Sequence, residues 1–587
     1  MSKGSATTVQ TVSILLIVIA VLISGISLSY TMGLRDRIDK VEELSNTISG
    51  TLGQLGTTVE SMRTAIEELK EIPSPSPTPS PSPSPSPSPP PEKVVLRIGY
   101  EFAPRSLDPP DYGDDFLNGV DQHVHEPLFI MWWEDDEVVY KPVLVESYEQ
   151  VDDLTWVFKI KKGIKFSDGS DLDAWDVWWS LSRTDPRPSN MVWSLDARIE
   201  SYEVLDDYTI KMVTIYAMPN LQAWLCQGWT NIISYDWVKE TGQEHVEPLA
   251  GIPPGTGPYM WSEFEPMVYS KMTLNPYWRG ETPTITDIEI YAALDNTARV
   301  MALEAGSFDL ICPTPEEALE DLESKGFKLW VTPAPLVSQI QINNQYPPCD
   351  DVRVRQAMAY AIDYEELLSS IYGRYAIRPR SPAPTNTIGY RDIVMYDYDP
   401  DKARQLLADA GYPDGIKIKM TVVPGWSIYK ALECAGAVQA YFKDVGIELD
   451  VEVMERSAYR SVTRDIRQDY LAGEEVEFVD HCSFRSWHAD TLYSGDDLFS
   501  LYHSTQGTNR WYVEIPELDE LFEFAISLAP IDERIEACED AQQLWMENCV
   551  GVPLYSAPYI YTTVPEFEGL ITEPNVYPWF LEGYFSK

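Results

Sequence analysis

Three arginines, Arg456, Arg460 and Arg464, recur at i, i+4 and i+8. On a helix that spacing puts three guanidinium groups on one face, and the planar guanidinium fork matches a carboxylate in geometry and charge. The same stripe also reads as a solvated face paired with neighbouring acids. Aromatic residues are plentiful, with 18 Trp and 34 Tyr. Trp178, Trp179, Trp193, Trp426 and Trp487 are of the kind that stacks on sugar rings, lines side-chain pockets or fills a core. His123 and His125 alternate like one face of a strand, a spacing that would let them share a metal. No cysteine or third histidine is near them in sequence, so a structural role is expected. Asp168, Asp171, Asp173 and Asp176 lack the glycine and glutamate positions of a calcium loop and read as turn and helix-start residues. No G-x-S-x-G, Walker-type G-x-x-x-x-G-K or H-E-x-x-H occurs, so no enzyme, metal or cofactor is expected.

Composition narrows the partners. The 587 residues carry a formal charge of −48, a field that repels nucleic acid and anionic headgroups. The length implies two or three domains. The seven cysteines are scattered, with no C-x-x-C. Cys538 and Cys549 are expected in one helix, about 16 Å apart along its axis, too far for a disulfide.

The elements that must position these residues follow a proline-rich break. Residues 73–91 read PSPSPTPSPSPSPSPSPPP. Proline fixes φ and lacks an N–H, so neither helix nor sheet runs through this segment, and polyproline II is favoured. At about 3.1 Å per residue it spans roughly 60 Å when extended. Before it, residues 9–28 are almost all apolar, enough for one bilayer-crossing helix. From Leu34 to Leu69 apolar residues recur at a mean step of 3.5, the coiled-coil period, which implies a partner helix. Gly50, Gly53 and Gly56 each weaken that helix by about 1 kcal/mol. The Lys3-Gly4 pair ahead of the apolar stretch resembles the type IV pilin-like (class III) signal of archaeal surface proteins, which implies cleavage after the glycine or, failing that, an uncut anchor.

After the break, VVLRIGY near Val94 reads as a strand. LTWVFKIKKGIKFSDG reads as a hairpin with turns at Lys162-Gly163 and Asp168-Gly169. AWDVWWSLSR, DVRVRQAMAYAIDYEELLSSIYG and DPDKARQLLADAGY read as helices, and IKIKMTVV and GIELDVEVM as strands. Strands alternating with helices predict α/β architecture.

Six segments, LTWVFKIKKGIKFSDGSDLDAWDVWWSLSR, GTGPYMWSEFEP with NPYWRG, ARVMALEAGSFDLI, INNQYPPCDDVRVRQAMAYAID, YDPDKARQLLADAGY and SWHAD, occur in this order between residues 154 and 490 of a body of roughly 490 residues. The body they mark resembles the extracellular solute-binding proteins of peptide-type ABC importers, the oligopeptide and dipeptide binder family (family 5). That resemblance implies an α/β, two-lobed periplasmic-binding-protein-like fold with an inserted third domain. The implied layout is a signal anchor over 1–30, a coiled-coil stalk over 31–72 and a Pro/Ser-rich linker over 73–93. Domain I would comprise 94–130, 253–336 and 556–587, domain II 131–252 and domain III 337–555, with ligand enclosed between domains I and III.

The family's W-x-A-D motif falls on Trp487-His488-Ala489-Asp490, which implies that Asp490 pairs with a ligand α-ammonium group; the alternative is an aspartate capping the next turn. The sequence departs from the family immediately afterwards, with Thr491-Leu492-Tyr493-Ser494-Gly495. His488 is expected as a pocket wall or surface residue. For an anionic ligand end Arg485 is the first candidate, followed by Arg460 and Arg464, with Trp426 and Trp487 as aromatic walls. The implied function is capture of peptides for the permease of an ABC importer, by a body held outside the membrane on a single-pass N-terminal helix and assembled through its stalk. An oligosaccharide ligand on the same fold and a cell-surface filament bearing a receptor domain are the alternatives.

Overall fold

The computed structural model describes residues 93–111, 115–135, 137–183, 198–245, 248–293, 295–371, 373–423 and 430–586. The chain divides into Met1–Pro90 and Pro91–Lys587. The anchor, stalk and linker expected in the first unit lie outside the described residues, as do Trp193 and Trp426. Among the described residues no helix is long and apolar enough to cross a membrane.

The second unit is built on three main sheets. The largest has seven strands, in the order Lys328–Thr332, Tyr559–Thr563, Leu310–Cys312, Val95–Tyr100, Asp287–Ala292, Tyr269–Leu274 and Tyr259–Glu265. Its centre, VLRIGY, pairs in parallel on both sides, which suits a strand that buries Leu96 and Ile98 completely. A five-stranded sheet runs Ile447–Val453, Ile416–Val422, Cys482–His488, Leu336–Ile342 and Gly551–Tyr555. Ile416–Val422 and Ile447–Val453 are parallel and joined by the helix Ala431–Asp444, the crossover that parallel neighbours need. A four-stranded antiparallel sheet runs Val145–Gln150, Thr155–Ile160, Thr209–Thr214 and Ile199–Asp206. In Thr155–Ile160 the alternation of Trp156, Phe158 and Ile160 faces inward.

The apolar cores divide this unit differently from its sheets. The four- and five-stranded sheets share one continuous core, in which Trp224 and Met212 belong to the same cluster as Phe484 and Leu501. The seven-stranded sheet has its own core around Leu96, Ile98, Phe116, Ile288 and Phe580. Two cores correspond to two lobes.

Several local expectations change. Thr155–Ile160 forms no hairpin with the residues after Gly163; it pairs with Val145–Gln150 and Thr209–Thr214, and only the isolated bridge Lys165↔Asp171 follows. The alternating pattern was correct for a strand, but its partners are the strand just before it and one some fifty residues on, not the residues after Gly163. DVRVRQAMAYAIDYEELLSSIYG forms two helices, Val352–Tyr360 and Tyr364–Ile371. The helix Ile531–Glu547 ends before Cys549, which turns out of it at φ 45°. All seven cysteines are buried, and none forms a disulfide.

Candidate functional site

Cys482–His488 is the middle strand of the five-stranded sheet. It is antiparallel to Leu336–Ile342, all of whose residues are buried, and parallel to Ile416–Val422. Apolar neighbours on both sides explain why CSFRSWH is itself buried except for His488. The chain leaves this strand at Ala489, fully buried, whose N–H donates to the Pro335 carbonyl at 2.7 Å. Its carbonyls are then taken by side chains from the four-stranded half. Gln227 Nε2 donates to the Asp490 carbonyl, and Tyr140 Oη donates to the Thr491 carbonyl at 3.0 Å. Tyr577, from the C-terminal segment, donates to Gln227 Oε1 at 3.4 Å. Three distant stretches of chain therefore meet at Asp490.

These bonds hold the backbone and leave the Asp490 carboxylate pointing elsewhere. Its side chain is 22% exposed, and Oδ1 lies 3.7 Å from His488 Nδ1, whose side chain is 14% exposed. Trp487 is buried, and its indole N–H has no hydrogen-bond partner among the described residues. Other buried polar atoms around the same meeting point are likewise without one: Asn118 Oδ1, Trp229 Nε1, Asp497 Oδ2, Glu573 Oε2 and both amide atoms of Asn575. Asn118 packs against Gly228, where an added Cβ would come within 2.5 Å. Asp497 accepts the Thr491 N–H at 3.3 Å. Burial holds the carboxyls of Asp497 and Glu573 well above the usual range, with Asp490 and Asp496 adding repulsion at Asp497. Buried polar groups are normally paired, by protein or by ordered water, so these atoms make the seam the candidate place for polar partners from outside the fold.

The arginines separate. Arg485 is 7% exposed, lies on the same strand face as Trp487 and sits 5.5 Å from the Tyr459 ring centre. Arg460 and Arg464 do lie on a helix, Arg456–Leu471, but its buried stripe is Tyr459, Thr463 and Arg467, one residue out of step. Arg464 pairs with Asp465 at 3.1 Å, and Arg460 is half-buried beside the stripe. The side chain of Arg456 is not described. Arg467, fully buried, serves the fold: its Nε donates to the Gln506 carbonyl at 3.3 Å and Nη2 to that of Ser504.

Sequence reasoning missed Gln227 and Tyr140. Neither carries a local signal, because their partners lie 263 and 351 residues away. His123 and His125 are in a helix-exit turn rather than a strand: His125 Nδ1 meets Asp121 Oδ1 at 2.8 Å, and His123 Nδ1 the Gly119 carbonyl at 3.1 Å. Burial pushes His123 down to about 4. No group of three or more metal-ligating side chains occurs among the described residues. Asp173 and Asp176 form a capping box on the helix Ala174–Ser182, the helix-start role expected of them.

Two lobes, mixed α/β sheets and a crossing strand that ends in a polar seam define the architecture of periplasmic binding proteins. The solved structures agree. The peptide-binding protein DppA of Helicobacter pylori, in complex with the peptide STSA, is 22% identical, covers 84% of this chain and 98% of its own, and superposes with a TM-score of 0.69. AppA of Bacillus subtilis, in complex with a nonapeptide, is 21% identical, covers 85% and 100%, and gives 0.69. The sequence profile of bacterial extracellular solute-binding proteins, family 5 middle region, matches residues 139–509. The glutathione-binding protein GsiB of Escherichia coli K12 is 30% identical over 371 residues, 62% of this chain and 69% of its own. The chain belongs to family 5 of the extracellular solute-binding proteins.

Proposed function

We propose that this protein captures peptides, or solutes of peptide-like chemistry, and delivers them to the permease of an ABC importer. Asp490 takes the ligand's α-ammonium group, Trp487, His488 and Ala489 form the wall beside it, and Arg485 stands toward the anionic end. The observation that carries this reading is the state of Asp490. Its backbone is fixed from three directions while its carboxylate stays partly exposed next to buried polar atoms without partners. A carboxylate so placed is matched by an ammonium group that brings its own hydrogen bonds. Similarity to a glutathione-binding protein and to structures holding peptides supports the same ligand class. A neutral oligosaccharide would leave the charge of Asp490 unanswered.

In this proposal residues 94–130, 253–336 and 556–587 act as domain I, 131–252 as domain II and 337–555 as domain III, in support of which the strands of the seven-, four- and five-stranded sheets fall in these ranges to within one residue. Residues 1–30 anchor the chain, 31–72 assemble it with further copies, and 73–93 hold the body off the outer membrane face. Mass spectrometry of small molecules released by denaturing the purified protein tests the ligand. Peptides or peptide-like amines are expected; a neutral sugar would refute the assignment of Asp490.

A further inference from the structure

Buried carboxyl groups in this protein are, as a rule, answered by the fold. Asp108 meets Arg183 and accepts the Leu249 N–H at 2.9 Å. Asp121 accepts from Asn231 Nδ2 at 2.9 Å and Trp261 Nε1 at 3.2 Å. Glu126 accepts from Arg279 and from the Thr256 hydroxyl. Buried carboxamides are satisfied too. Asn275 donates to the Gly257 carbonyl and accepts the Tyr277 N–H, and Asn509 donates to three carbonyls. Glu573 and Asn575 differ. They are 1% and 0% exposed, yet Glu573 Oε2 and both amide atoms of Asn575 have no hydrogen-bond partner among the described residues.

Both belong to one tight turn. Ile571–Thr572 pairs with Pro578–Trp579, and residues 573–577 join them. The Glu573 N–H donates to the Tyr577 carbonyl and the Val576 N–H to the Glu573 carbonyl, each at 2.9 Å. Turns ordinarily lie at the surface, where water satisfies them; this one is buried throughout. Val576 adopts φ 67°, a left-handed conformation rare for a β-branched residue, and the Tyr561 hydroxyl fixes it by donating to its carbonyl at 2.6 Å. The helix Asp115–Asp121 abuts the turn, since a Cβ added at Gly119 would come within 2.6 Å of Tyr577. Asn118, the preceding residue, has its own Oδ1 buried without a partner. Tyr577 donates to Gln227, and Gln227 donates to the Asp490 carbonyl. One side chain therefore links this turn to the strand end that carries Asp490. Burial holds the Glu573 carboxyl well above the usual range, which favours the protonated form, able to donate as well as accept.

We propose that Glu573 and Asn575, with Asn118 beside them, form a subsite for an uncharged hydrogen-bonding side chain of the captured solute, a carboxamide or hydroxyl on one of the two residues next to the ammonium held by Asp490. The proposal rests on the peptide-capture reading of the site. A carboxylic acid and two carboxamides offer donors and acceptors with no counter-ion, so a charged side chain buried there would go unpaired. An apolar one would leave Glu573 and Asn575 without partners, the situation in which a polar site discriminates most sharply.

The test uses the full chain and four tetrapeptides, otherwise of alanine, carrying asparagine or the similarly sized leucine at the first or the second position. Calorimetry should show the parent binding the asparagine peptide at least about tenfold more tightly than its leucine counterpart at one of the two positions. Glu573→Gln keeps a donor and an acceptor and should retain the preference. Glu573→Met should lose most of it while binding the leucine peptide as well as the parent does, and Asn575→Ala should weaken it in the same direction. Without peptide, Glu573→Met should unfold at the temperature of the parent or higher, since it removes an unpartnered buried carboxyl. A lower unfolding temperature with the preference intact would make Glu573 a structural group and overturn the subsite. Equal binding of asparagine and leucine peptides at both positions, the result expected if ordered water alone partners the turn, overturns it as well and leaves peptide capture standing. Failure of the parent to bind any of the four rejects peptide capture, and the subsite with it.

Discussion

Asp490→Asn removes one charge and almost no volume, at a position whose supporting bonds run through the backbone. Gln227 holds the Asp490 carbonyl and the Pro335 carbonyl holds the Ala489 N–H, so neither depends on the carboxylate. The carboxylate's nearest ionisable neighbour is His488, at 3.7 Å, and its side chain is 22% exposed. Stability should therefore change by less than about 0.5 kcal/mol. Affinity should change far more. A charge-assisted hydrogen bond to an ammonium group contributes about 1.5–3 kcal/mol, and each 1.4 kcal/mol is roughly one decade of Kd, so a loss of about ten- to hundredfold is expected. The lower end applies if water reaches the pair in the closed complex, the upper end if the seam excludes it. Calorimetry with the solute recovered from the native protein, beside thermal unfolding of both proteins, measures the two quantities separately. Unchanged affinity would refute the assignment. A large drop in unfolding temperature would show instead that the carboxylate is structural.

The remaining predictions concern stability and assembly. Burial raises Asp176 to about 7 and Asp480 and Asp496 to about 6, from an ordinary value near 3.8. The unfolded chain gives up these protons at lower pH than the folded one, so stability is lost as pH rises from about 4 to about 7. The urea midpoint should be higher at pH 5 than at pH 7.5, and the reverse order would contradict it. Asp108 and Arg183 form an ion pair whose side chains are 0% and 5% exposed. Asp108→Ala strands the arginine and should destabilise by about 3–5 kcal/mol in denaturant unfolding. Replacing Leu52 and Leu55 with Asp tests the stalk proposed for residues 31–72, because both fall on its 3.5-residue apolar repeat. Light scattering of the anchor-free protein should then fall to monomer mass, and a parent already monomeric at micromolar concentration would exclude the stalk as the assembly element.

What could be read from sequence was whatever a short window encodes. Val95–Tyr100, Ile416–Val422 and Ile447–Val453 appear where β-branched runs predicted strands, and Pro400–Asp409 starts on its expected acidic cap, Asp399. Pairing was not local. Thr155–Ile160 had the right alternation, yet it pairs with the strand before it and with Thr209–Thr214 some fifty residues on, whereas a turn signal at Gly163 suggested a partner just after it. The arginine stripe shows the limit of periodicity in another form. The spacing at Arg456, Arg460 and Arg464 was helical, but which face turns inward depends on the sheet beneath, and Tyr459, Thr463 and Arg467 won it. Asp490 was found by its motif; Gln227 and Tyr140, which come to the seam from other parts of the chain, offered none.

The order of strands in the seven-stranded sheet has a consequence for the protein's birth. Tyr559–Thr563 is an interior strand, clamped between Leu310–Cys312 and Lys328–Thr332, yet it is synthesised long after both. Roughly 250 residues separate Leu310 from Tyr559, and at about 5–20 residues per second the nascent sheet keeps an open edge for some 12–50 seconds. During that interval one lobe has unsatisfied backbone hydrogen bonds, a hazard for aggregation. A premature stop ahead of Tyr559 would leave that edge open for good.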